Sequence, residues 1–107
     1  MYETAISVIR EYMDEYLFEP GANWPEFEFF ERSCSRWVAN EIIARINEEE
    51  MRPPPHVSGR ESVSPLGIIH EFINELIYFA ENSENAYHQH MLSIATETAI
   101  DIILLFL

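Results

Sequence analysis

The chain contains no lysine, a single cysteine and only three glycines, and each shortage excludes something. One thiol, Cys34, cannot close an intramolecular disulfide, so a reducing cytoplasm is the expected compartment. Gly21, Gly59 and Gly67 are too scattered to build a glycine-rich phosphate loop. The most apolar run, Ile102 to Leu107, is far shorter than the roughly 20 residues a bilayer span demands. The opening Met1-Tyr2-Glu3-Thr4 resembles no signal peptide, having neither a basic nor an apolar segment.

Positive charge is the other scarcity. Nineteen acids face six arginines, a net charge of −13, and every arginine lies at or before Arg60. Direct nucleic-acid binding is therefore disfavoured, because it needs cations against phosphates. Anionic membrane surfaces are disfavoured for the same reason. A basic protein partner is what such a field attracts.

What is present is a core. An apolar share of 48% is far too high for a disordered acidic tail, and 107 residues make room for one domain, residues 1–107. Apolar spacing at three and four residues predicts an all-α, four-helix bundle-like fold, with helices over about 2–18, 24–51, 65–81 and 84–106. Pro20-Gly21 ends the first helix, and Asn23 with Glu26 reads as a capping box for the second. The buried series of helix 2 is predicted as Phe27, Phe30, Cys34, Trp37, Val38, Ile42 and Ile46. Pro53-Pro54-Pro55 stops that helix and opens a connector over 52–63. Ser64-Pro65 then supplies an N-cap and a first-turn proline. In helix 3 the main apolar face is Leu66, Ile69, Ile73, Leu76, Ile77 and Ala80, with Ile68, Phe72 and Phe79 widening it. Helix 4 has apolar residues over most of its circumference, including Tyr87, Ile102 and Leu105, which predicts the central position.

The chemistry-bearing residues give few catalytic signals. Cys34 falls on an apolar stripe, where a thiol serves as a small hydrophobe. His88-x-His90 points to nearly opposite sides of a helix, unsuited to chelation, and His88 one turn after Glu84 suggests a surface ion pair. No metal or other cofactor is expected. Glu71/Glu75 and Glu97/Asp101 are i,i+4 carboxylate pairs that can hold a divalent cation if they converge on one cavity. Glu28-x-x-Glu31 resembles the first half of the motif of all-helical nucleotide pyrophosphohydrolases of the MazG type, which implies metal-dependent hydrolysis. The later helices depart from that motif, leaving its metal ligands without matched positions.

Acidic clusters carry the preferred reading: a non-enzymatic acidic adaptor or inhibitor that engages a basic protein such as a nuclease or other nucleic-acid-binding protein. The expected contact charges are Glu11, Asp14, Glu15, Glu48, Glu49, Glu50, Glu71 and Glu75. Like charges one helical turn apart cost a few tenths of a kcal/mol, so their repetition suggests a use. Phe29 falls off the buried stripe and is a candidate aromatic contact, for a partner or for a homodimer. An oligomer built on the apolar C-terminus is a further alternative. In size and charge, over its whole length, the chain resembles inhibitors encoded by phages and mobile elements, among them DNA mimics and anti-CRISPR proteins. No motif carries that likeness and no residue is transferred from it.

Overall fold

The computed structural model describes residues 2–17, 26–51 and 63–107, and for residues 16, 17 and 26–30 the backbone alone. The Pro20-Gly21 stop, the Asn23 cap, residues 52–62 of the connector and the side chains of Phe27, Phe29 and Phe30 therefore lie outside the described residues. Among the described residues, four helices make up an all-α single domain: α1 (Tyr2–Tyr12), α2 (Glu26–Met51), α3 (Pro65–Asn82) and α4 (Ala86–Leu104).

Helix α1 does not continue as a plain α-helix. From Met13 to Leu17 it winds into a π-helical turn. The wider i→i+5 winding means that Glu11 and Glu15 do not stack as they would four apart on an α-helix. Tyr12 and Met13, on either side of the junction, both pack against the core.

Local chemistry sets the start of α3 as the sequence suggested. The Ser64 hydroxyl accepts the Gly67 N–H at 3.2 Å, and Pro65 occupies the first turn. A Cβ on Gly67 would come within 3.0 Å of Val63 Cγ1, so the bare residue allows that close approach. Helix α4 starts two residues later than predicted because Asn85 caps it. Its Oδ1 accepts the amides of Tyr87 at 2.9 Å and His88 at 3.2 Å. Glu84 thus precedes the helix, and the His88 ring lies against Tyr87 instead of forming the expected pair with Glu84. Gln89 Nε2 reaches back to the Ser83 carbonyl at 2.6 Å, closing the turn between α3 and α4.

Val63 fixes how the helices run. Its carbonyl accepts the Tyr2 hydroxyl at 2.8 Å, and its N–H donates to Glu49 Oε1 at 3.1 Å. The start of α1, the end of α2 and the entry to α3 therefore meet at one end of the bundle. Helices α1 and α3 run opposite to α2, and α4 returns alongside α3.

One core joins all four helices. Ile9, Val38, Ile42, Ile46, Ile69 and Ile102 are completely or almost completely buried. Removing each such side chain from water is worth about 1.5–3 kcal/mol before the entropy of ordering is counted. Helix α4 makes its densest packing against α2 and α3, as its apolar circumference suggested. The buried strip is nevertheless narrow: Ala95, Thr98, Ala99 and Ile102. Tyr87, Ile100, Leu104 and Leu105 stay exposed, because α2 and α3 cover only part of the helix. In α3 the buried stripe is Pro65, Ile68, Ile69, Phe72 and Leu76, centred on the Ile68–Phe72 side of the predicted apolar surface, and Ile77 and Phe79 are exposed. Trp37, assigned to the core of α2, is 51% exposed, and Ala39 and Ile43 are buried instead.

A polar link crosses α2 and α4. The Thr98 hydroxyl donates to the Ile94 carbonyl at 3.0 Å, which uses its single proton. The 2.8 Å contact with Ser35 must then have the Ser35 hydroxyl as donor.

Candidate functional site

Three helices leave an apolar groove at the end of the bundle away from Val63. Ser33, Cys34 and Trp37 of α2 and Met91, Leu92 and Ala95 of α4 line a hollow of about 360 Å³. Met91 and Leu92 also line a second hollow of about 380 Å³, with Phe79, Asn82, Ser83 and His88. Cys34 and Ala95 are buried, whereas Trp37 and Phe79 present more than half of their surface to solvent. The Trp37 ring leans on Phe72, with centroids 6.1 Å apart. Burial, and then the negative charge of Glu31, push the Cys34 thiol above its ordinary value. It is therefore protonated at neutral pH and a poor nucleophile.

No protein-family model, no curated protein and no solved structure matches this chain.

Glu11, Asp14 and Glu15 are exposed at the far end of α1 and its π-helical turn. Glu48 and Glu50 are exposed at the end of α2, beside the start of α1. The thirteen positions from Tyr2 to Glu15 place these two groups about 20 Å apart along the bundle. Glu71 is exposed on α3. Two of the expected contact charges have work inside the fold. Glu49 is half-buried and holds the Val63 amide. Glu75 pairs with Arg45, which also donates from Nε to Glu41 Oε1 at 3.3 Å. The arginine stacks over the Phe72 ring, 4.5 Å from its centroid. Burial works against its charge, but the hydrogen bonds to Glu75 and Glu41 outweigh it and hold the pKa above its ordinary value.

The carboxylate pairs considered for metal chemistry do not converge. Glu71, Glu75, Glu97 and Asp101 are all exposed, and among the described residues no group of three or more His, Cys, Asp or Glu side chains could hold a metal ion. None of the described helices is long and apolar enough to cross a membrane. The side chain of Phe29 lies outside the described residues. Sequence reasoning missed the exposed Trp37, Tyr78 and Phe79. One signal pointed to Tyr78 and Phe79: three successive large apolar residues, Ile77-Tyr78-Phe79, cannot all face one side of a helix.

Proposed function

We propose that this chain is a protein-binding module, an acidic adaptor or inhibitor that engages a basic surface on its partner. The observation that carries it is the outward presentation of Glu11, Asp14, Glu15, Glu48, Glu50 and Glu71 on a chain of net charge −13. Arg45, by contrast, is consumed by Glu41 and Glu75. The favoured partner class is a protein whose own ligand is polyanionic, such as a nuclease or nucleic-acid-binding protein, since its binding face already displays cations. The separation of the acidic groups supports contact at spaced points and not along one continuous row.

Affinity capture at low and high salt, with mass spectrometry, tests this reading. A basic protein should be retained at low salt and released at high salt. Its association rate with the Glu11→Lys/Asp14→Lys/Glu15→Lys variant, or with Glu48→Lys/Glu50→Lys, should fall before its dissociation rate changes. A partner whose affinity ignores both ionic strength and these charge reversals would refute it.

A further inference from the structure

We infer that the groove between α2 and α4 is the docking site for a cationic amphipathic helix of the partner protein. The inference rests on the basic-partner reading above and adds to it a place and a shape.

The two hollows share Met91 and Leu92, so they adjoin along α4, one reaching to Trp37 and Ala95 and the other to Phe79 and His88. Along α4 the adjoining hollows span His88 to Ala95, seven residue steps or about 10.5 Å. An incoming helix places its anchors at i, i+3, i+4 and i+7, which cover the same axial distance. Each hollow falls in the range of about 300–1,000 Å³ typical of ligand clefts. The floor is apolar, and its walls carry an exposed tryptophan and a methionine, the side chains that anchor and adapt to inserted apolar groups.

Charge selects the occupant. Neither α3 nor α4 contains a lysine or arginine. Glu81 and Glu84 are exposed beside Asn82 and Ser83, which line one end of the groove, and Glu31 lies one turn before Cys34 on α2. Arg32 and Arg36, the bases on this stretch of α2, are each already engaged within the chain. A second copy would bring the same acids against this rim and a net charge of −13 against itself. A helix with an apolar stripe and a lysine- or arginine-rich flank satisfies both the floor and the rim.

The test uses the full chain and two synthetic helices of about 14 residues, with leucine at i, i+3, i+4 and i+7. One carries lysine and the other glutamate at the remaining positions. The readouts are the methyl NMR signal of Met91, with exposed Met51 as internal control, and the rate of Cys34 alkylation. The lysine helix should shift Met91 and leave Met51 in place. It should also slow alkylation at least fivefold (roughly the protection expected near saturation). Ser33→Trp, which fills the groove, should weaken binding by about tenfold or more while circular dichroism stays unchanged. Should that variant not fold, Trp37→Ala removes an exposed wall and should weaken binding by a similar factor.

Binding of the lysine helix that leaves Met91 and Cys34 unaffected overturns the groove but leaves the basic-partner reading standing. Equal binding of the glutamate helix overturns the cationic occupant and counts against that reading as well. Binding of neither helix overturns the groove alone, because salt-dependent capture of a basic protein does not require it. Concentration-dependent protection of Cys34 in the chain by itself would assign the groove to a second copy and overturn the inference.

Discussion

Replacing Arg45 with methionine, which keeps most of the stem but removes the charge, should destabilise the fold in a salt-dependent way. The guanidinium has three partners: Glu41, Glu75 and the face of Phe72. The side chains of the ion-paired groups are 31–46% exposed, so each pair is worth only about 0.2–1 kcal/mol. The contact with Phe72 adds about 0.5–1 kcal/mol at such a site. The total is roughly 1–3 kcal/mol at low salt, and each kcal/mol should lower Tm by roughly 4–8 °C. In 1 M salt the Debye length falls to about 3 Å, which leaves mainly the aromatic share of about 0.5–1 kcal/mol. Urea unfolding at low and high salt measures both figures, with Arg10→Met, at an exposed position on α1, as the control expected within about 0.5 kcal/mol. A loss from Arg45→Met that is the same at both salts, or no larger than the control's, would refute the reasoning.

Ile42→Ala should cost about 2–5 kcal/mol in urea unfolding, since Ile42 is fully buried where the helices meet, and a cost below about 1 kcal/mol would show that the site collapses around the gap. Asn85→Ala should cost about 0.5–2 kcal/mol and speed hydrogen exchange at the Tyr87 and His88 amides, which its side chain accepts. For Cys34, folding raises the thiol pKa above its ordinary 9.0, so the unfolded chain loses that proton first. The stabilising contribution is complete below pH 9.0 and is lost as pH rises through the folded value. The wild type should therefore lose more stability than Cys34→Ala between neutral and strongly alkaline pH, and equal losses would contradict this.

The parts of the fold written in local chemistry were legible in the sequence. Ser64-Pro65 announces α3 because a hydroxyl cap and a first-turn proline act within one turn of the chain. The stripe through Val38, Ile42 and Ile46 was legible because apolar spacing records which side of a helix is buried. Spacing does not record what covers a face. Trp37 lies on the same stripe as Cys34 yet stands at the rim of a groove, because the neighbouring helices do not close over it. The Arg45–Glu75 pair joins residues thirty positions apart, and no i,i+4 rule reaches that far. The capture of the Val63 amide by Glu49 likewise depends on the chain returning past the end of α2. The π-helical turn has no sequence signature of its own, and it redirects the acids beyond Tyr12.

The redistribution of charge bears on how recognition could work. Grouped by sequence, the acids read as rows; folded, Glu49 and Glu75 are committed internally, and the remainder lie at opposite ends and on α3. A field of this kind draws a basic protein over about a Debye length, roughly 10 Å at 0.1 M salt, but separated charges fix orientation poorly. Orientation needs short-range contact, and the exposed apolar surface around Trp37, Phe79 and Met91 is where the described fold can supply it. Two kinds of variant then separate the roles. Charge reversal at Glu11 and Glu15 should act on the association rate, while truncation of Trp37 should act on the dissociation rate. A charge reversal that changes only the dissociation rate would mean that those acids sit within the interface and do not merely steer toward it.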